Sequence, residues 1–381
     1  MWQIVSNILK DYKMTQDSIP LFEPYIGYEE KKAIDCVLES KQLSRGPWVE
    51  QFECEFAAYV GKKYAIAVNS GTSGLHLCVK AADWQEYDEV ITTPYSFIAS
   101  TNCLLYENIT PIFCDVDPIT FNIPYSNILS KITPKTRGVL IVDILGLPAV
   151  SKDISTFCKD HKFCLLEDAC EAVGKTSTEF PVSKFSDMAV YGFYPNKQMT
   201  TGEGGMVVTD NADLAQYIRS LRNQGYSTAS NWLDYVVMGY NYRMSDIQAA
   251  LGIAQLKKLD FILEQRSEIA AKYNKLLENI PGITLLKNQN LKRSYFNYTI
   301  LVEEAQKRRN IMNKLKEQRI GFNSGFVPLH YFPHIKKLGY QKGDFPVTEK
   351  IAEQTLSLPF FVNITNQQIK TVCDLIKKEM L

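Results

Sequence analysis

Apolar positions along the chain follow two periods, and the switch between them predicts the elements. Residues 28–38 place Ala33, Ile34, Val37 and Leu38 on one helical face, and 49–60 form a second helical stretch stopped by Gly61. From 64 onward short apolar runs alternate with helical stretches. Strands are predicted at 64–68, 89–92, 112–114, 139–142, 163–166, 188–191 and 206–209, with helices at 75–82, 99–106 and 154–160. Strands this continuously apolar belong to a sheet covered on both faces, and their alternation with helices predicts a mostly parallel α/β sheet. The alternation stops near Asn241. Long helical stretches at 244–259 and 261–277, a strand at 295–302 and helices at 304–318 and 366–378 then predict a smaller α+β unit. Trp2, Val5, Ile8 and Leu9 fall at helical spacing ahead of the polar stretch 15–18. Residues 1–19 are therefore set apart as a short helix packing on the body or on a partner subunit, since a membrane-surface anchor would need more cations.

Composition narrows the class. The 381 residues carry 42 Lys and Arg against 42 Asp and Glu, a formal charge of zero, with 45% hydrophobic residues. These are globular values, and the charge balance argues against a nucleic-acid partner, which would need basic excess to release counterions from phosphates. Low self-repulsion makes self-association easy. Nine cysteines, an odd number without a CxxC, sit mostly in apolar runs, the pattern of reduced thiols. No secretory signal pattern and no apolar run near the ~18 residues of a membrane span occur, so a cytoplasmic location is expected.

In an open α/β sheet, ligands bind beyond the carboxyl ends of the strands, and three predicted strand ends carry unusual residues. After 64–68 come Asn69, Ser70, Gly71, Thr72, Ser73, Gly74, Leu75 and His76. Glycines and hydroxyls at a helix start serve either as an N-cap or as a phosphate cradle, and the spacing fits neither a Walker loop nor GxGxxG. His76, one turn in, reads as a packing residue or a neighbour of the site. After 163–166 come Glu167 and Asp168, then Glu171; two adjacent acids either cap and pair locally or face a cationic ring nitrogen. After 188–191 comes Lys197, then a Thr/Gly-rich turn over 200–205. A lone lysine is normally a solvated charge; beside a phosphate site and an acid it can be a Schiff-base amine. Phosphate cradle, acid and amine together describe pyridoxal 5′-phosphate (PLP).

The chain resembles the sugar aminotransferases of the DegT/DnrJ/EryC1/StrS family, fold-type I PLP enzymes. The likeness runs from about Ile19 to the C-terminus. It rests on Pro20-Leu21, Tyr25-Ile26-Gly27, Leu43 to Pro47, Val68 to His76, Glu167-Asp168, Phe193 to Gly205, Asn241 to Asp246, Pro328-Leu329-His330 and Leu356 to Pro359. The resemblance implies a large PLP-binding domain over 20–245, with a mostly parallel seven-stranded sheet between helices, and a smaller C-terminal α+β domain over 246–381. It implies that Lys197 joins the cofactor aldehyde, that Asp168 partners the pyridine nitrogen and that Glu171 lies near the phenolic oxygen. It makes Gly71 and Thr72 the phosphate cradle and Phe97 the ring that stacks on the cofactor. Asn241 resembles the residue that reaches the phosphate from the neighbouring subunit, and Asn241 also suits a helix cap; Arg243 beside it and His330 fall on the substrate or interface side. The implied protein is a homodimer with its sites at the subunit interface. The implied reaction is a ping-pong transfer from glutamate or glutamine to a keto-sugar, usually nucleotide-linked, with Lys197 as the base.

The sequence departs from the family pattern at three places. Gly192 replaces a phosphate-binding Ser, residues 143–146 (Asp-Ile-Leu-Gly) replace a His-x-Tyr-Gly segment, and 323–326 lack an Arg. These departures bear on the acceptor, whose choice depends on 180–186, 225–240 and 323–334. His330 and His334 are four apart, but Pro328 and Pro333 prevent a helix that would aim both at one metal, so no metal site is expected. Residues 115–118 read as a strand end and turn. Two other readings remain: a PLP-dependent sugar dehydratase, in which a His replaces the lysine that this chain keeps, and a PLP-binding regulatory protein without turnover.

Overall fold

The computed structural model describes residues 18–174, 182–227, 234–286 and 293–381. The expected helix around Trp2 to Leu9, and residues 180–181 and 228–233 of the acceptor-side loops, lie outside the described residues.

The short apolar runs form one seven-stranded sheet. Its strands are β1 (Tyr64–Val68), β2 (Glu89–Thr92), β3 (Thr110–Phe113), β4 (Thr136–Val142), β5 (Cys164–Asp168), β6 (Met188–Gly192) and β7 (Gly205–Thr209). Their order is β1-β7-β6-β5-β4-β2-β3. Only β7 runs against its neighbours, so the other six strands end on one edge. Alternate residues serve opposite faces. Ile66, Val68, Met188, Val190 and Val207 pack into one core layer, while Ala65, Ala67, Ala189, Tyr191, Met206 and Val208 pack into another around Phe52, Phe56 and Phe193. Helix Gly71–Ala81 contributes to the first layer, with Ala212–Arg222, a helix the apolar pattern leaves unmarked. Helices Pro47–Val60 and Asp246–Lys257 cover the other. β4 begins three residues earlier than the apolar run, because Thr136 and Gly138 pair with β2 without being apolar, the register shifting at Arg137 between them.

The C-terminal part has its own antiparallel sheet, in which β9 (Tyr298–Val302) lies between β8 (Ile283–Leu285) and β10 (Thr355–Leu358). Helices Leu259–Leu277, Ala305–Glu317 and Asn366–Met380 close a separate core over it. The predicted strand 295–302 starts late, because the chain at 293–297 is diverted across the end of β4. There Ser294 N–H donates to Gly146 O at 2.8 Å.

The two sheets are tied at fixed points. Asp115, just past β3, caps helix Pro346–Gln354: Val347 N–H donates to Oδ2 at 2.9 Å, and Thr348 N–H and Oγ1 donate to Oδ1 at 2.9 and 2.8 Å. Tyr95, wholly buried after β2, bonds Thr355 Oγ1 at 3.0 Å, and Leu329 N–H donates to Pro94 O at 2.8 Å. Among the described residues no helix is long and apolar enough to cross a membrane, and no cluster of three or more His, Cys, Asp or Glu could hold a metal. The nine cysteines are free thiols.

Asp115→Ala should lower the unfolding free energy by about 1–2 kcal/mol, the usual cost of a lost cap. Urea denaturation of the apoprotein checks this, and an unchanged midpoint would show that the tie contributes nothing.

Candidate active site

Beyond the shared edge of the sheet lies a cavity of about 560 Å³, the size of a small-molecule site. The turn after β1 supplies one end. Ser70 Oγ accepts from Ser73 N–H at 3.0 Å and Ser70 O accepts from Gly74 N–H at 3.1 Å, so the cap is real. The N–H groups of Gly71 and Thr72 precede these bonds, and both residues line the cavity. The two readings of this turn therefore coexist: a capped helix presents its first N–H groups and positive dipole end to the cavity. Gly71 must lack a side chain here, since a Cβ would come within 2.9 Å of Cys170 Sγ.

The adjacent acids after β5 point to different sides, as successive strand residues must. Glu167 turns away from the cavity, accepting from Ser183 N–H at 3.0 Å and Ser186 Oγ at 2.7 Å. Asp168 lines the cavity while only 5% exposed, and its named partners are uncharged: Ser100 Oγ donates to Oδ2 at 2.7 Å and Cys170 N–H to Oδ1 at 3.1 Å. A carboxylate so placed calls for positive charge from the cavity side. Glu171 accepts from Leu145 N–H at 2.8 Å; burial raises its carboxyl above the usual range, and the Lys197 ammonium opposes part of that rise.

Lys197 follows β6 on a turn fixed by its own groups. Thr200 Oγ1 and Thr201 N–H donate to Phe193 O at 2.9 and 3.0 Å, and Phe193 N–H donates to Gly204 O at 2.9 Å. The turn delivers Lys197 Nζ to 3.6 Å from Glu171 Oε1 and 4.0 Å from the centroid of the Phe296 ring. Phe97 forms part of the wall and is 62% exposed.

Six of the residues singled out in the sequence thus share one cavity: Gly71, Thr72, Phe97, Asp168, Glu171 and Lys197. Three do not. Asn241 is exposed beside the end of β1, bridging Asn223, and Arg243 Nη1 donates to Asn223 Oδ1 at 3.0 Å. His330 is wholly buried away from the wall, its Nε2 2.9 Å from Glu349 Oε1. The cap of helix Asp246–Lys257 is Ser245, in a capping box with Gln248, so Asn241 does not perform that role. His76 packs against Tyr242 and Glu107, at 3.0 and 2.7 Å.

Ser100, Cys170 and Phe296 escaped the sequence reading. Ser100 falls in the helix expected at 99–106 and Cys170 between Asp168 and Glu171, but nothing in their spacing marks them as partners of Asp168. Phe296 reaches Lys197 only because the chain crosses the β4 end at 293–297. Ile144 and Leu145 line the wall there, while Asp143 is buried, accepting from Ala149 N–H at 2.8 Å; burial and the nearby Glu167 carboxyl push its own carboxyl well above the ordinary range.

The family model for DegT/DnrJ/EryC1/StrS aminotransferases matches residues 24–377. The chain belongs to this aminotransferase family. It is 36% identical to the spore coat polysaccharide biosynthesis protein SpsC of Bacillus subtilis, over 94% of this chain and 96% of that one. It is 33% identical to GDP-perosamine synthase of Escherichia coli O157:H7, over 94% and 98%. Among solved structures, Helicobacter pylori PseC, an aminotransferase involved in the biosynthesis of pseudoaminic acid, superposes with a TM-score of 0.91 at 28% identity, covering 95% of this chain and 99% of that one. The fold is that of the PLP-dependent aminotransferases, and the cofactor is PLP. The cavity's donor set fits it: a helix start free to bind phosphate, a buried carboxylate without a cation among its named partners, and a lysine amine.

Thr72→Asp puts a carboxylate where the phosphate is expected. Like charges at ~4 Å near a protein surface repel by about 4 kcal/mol, so affinity of the apoprotein for PLP should fall at least ~100-fold. Affinity for pyridoxal, which lacks the phosphate, should hold. Absorbance titration separates the two; an equal loss for both would place the phosphate elsewhere.

Proposed function

We propose that this aminotransferase moves an amino group from glutamate or glutamine to a keto-sugar, a nucleotide-linked sugar of the 4-keto-6-deoxy type, in two half-reactions that use one cavity in turn. The observation that carries the reading is the meeting of Lys197 Nζ, the Gly71–Thr72 helix start and Asp168 in a single cavity at the carboxyl edge of the sheet. The names of relatives support the acceptor class: GDP-perosamine synthase, and a dTDP-4-dehydro-2,3,6-trideoxy-D-glucose 4-aminotransferase of Saccharopolyspora spinosa at 31% identity.

PLP, when bound, supplies the aldehyde that takes up the amino group and the ring that withdraws electrons from the reacting carbon. The chain does the rest. Asp168, oriented by Ser100 Oγ and Cys170 N–H, holds positive charge on the ring nitrogen. Gly71 and Thr72 fix the phosphate, and Phe97 covers the ring. Glu171, its carboxyl raised by burial, can keep a proton near the phenolic oxygen. Lys197 Nζ moves the proton between donor carbon and cofactor carbon, with Glu171 Oε1 3.6 Å and the centroid of the Phe296 ring 4.0 Å from it. Asn241 and Arg243 lie outside their own chain's cavity, and the reading gives them to the site of a second copy in a homodimer. The same reading divides the chain at about 245 into a cofactor-bearing domain and a smaller one, and places the protein in the cytoplasm.

Without any acceptor, PLP-loaded protein and glutamate should release about one equivalent of 2-oxoglutarate per subunit and stop, as a ping-pong enzyme must. Turnover should resume on adding a nucleotide-linked keto-sugar. Lys197→Ala should slow the first release by about 10²–10⁴-fold. No release from the native protein, with glutamate or glutamine, would favour the reading as a binding protein without turnover.

A further inference from the structure

The phosphate end of the cavity is assembled around a sulfur atom. Cys170 follows β5 and lines the cavity, and its Sγ donates to Val190 O at 3.6 Å. Its N–H donates to Asp168 Oδ1 at 3.1 Å. Its Sγ stands so close to Gly71 that a Cβ there would lie 2.9 Å away, and its Cβ and Sγ would each lie 3.3 Å from a Cβ at Gly192. Gly71 and Gly192 are themselves neighbours, a Cβ on the former falling 3.5 Å from the Cα of the latter. The thiol is held well above its ordinary range by burial and by the Asp168 carboxylate, so it stays neutral and brings no repulsive charge to the cradle.

We propose that Cys170 and Gly192 form one coupled positioning pair, in which the thiol occupies the space a side chain at 192 would take and sets where the helix start holds the cofactor phosphate. A hydroxyl at 192 is therefore not simply missing from this chain. Added alone, a side chain at 192 has its Cβ 3.3 Å from both Cβ and Sγ of Cys170, so the Cys170 side chain must give by a few tenths of an ångström, with Gly71 close on the other side of the sulfur. Removal of the sulfur alone leaves the helix start without its spacer. The two changes together restore a filled cradle with a hydroxyl in place of the thiol. Coupling of this kind is the signature of side chains in contact.

This rests on the phosphate lying at Gly71 and Thr72, which the Thr72→Asp titration tests by itself. The pair is tested by titrating apoprotein with PLP and with pyridoxal for the native chain, Cys170→Ala, Gly192→Ser and the double variant. Gly192→Ser should weaken PLP binding about tenfold, Cys170→Ala about threefold, and the double variant should return to within about twofold of the native chain. Pyridoxal affinity should change less than about twofold throughout, which a merely structural defect would not spare. Losses that multiply in the double variant, a Gly192→Ser chain that binds PLP as well as or better than the native one, or equal losses for pyridoxal would each overturn the proposal.

Discussion

A carboxylate buried at the end of β5, with a hydroxyl and an amide N–H as its named partners, sets the terms for the cavity around it. Withdrawing Asp168 from water costs free energy that two neutral donors recover only in part, and a positive charge on the open side recovers the rest. The sheet makes the arrangement possible. Six parallel strands end on one edge, and β5 lies in the middle of the order, so Asp168 is screened from water by neighbours on both sides. The turns from β1 and β6 close over the same point and bring a helix start and a lysine to it. Antiparallel β7 lets the chain return from the lysine turn directly into the sheet.

Much of this was legible in the sequence, for a physical reason. Buried strands of a covered sheet need short apolar runs, and each of the seven carries one, though β4 and β5 extend into polar residues at one end. Their carboxyl ends then mark the cavity before any side chain is placed, which is why Gly71, Thr72, Asp168, Glu171 and Lys197 could be named together. What stayed hidden depends on distant segments meeting. Asp115 looks like a turn residue until helix Pro346–Gln354, over 200 residues away, sets its N–H groups on it. β8 and β10 are three and four residues long and carry too little periodicity to announce themselves. Phe296 was read as strand, yet the crossing at 293–297 turns it into wall. His330, expected on the substrate or interface side, lies buried with its Nε2 2.9 Å from Glu349 Oε1, a contact made across 19 residues that its spacing does not announce.

Zero net charge takes a narrower meaning in this light. In the proposed reading the cofactor phosphate is met by backbone N–H groups at a helix end, and such a site needs no global excess of basic residues. The departures at 143–146 and 192 follow the same economy of local fit. Asp143 turns inward to the Ala149 N–H and a neighbouring acid, leaving an apolar rim of Ile144 and Leu145, and Gly192 gives its space to Cys170.

The central claim is that Lys197 is the amine that bonds to the cofactor. Borohydride reduction of PLP-loaded protein, followed by peptide mapping, tests it directly. The account predicts a single pyridoxyl label, on Lys197, that disappears in Lys197→Ala. A label on another lysine would contradict it.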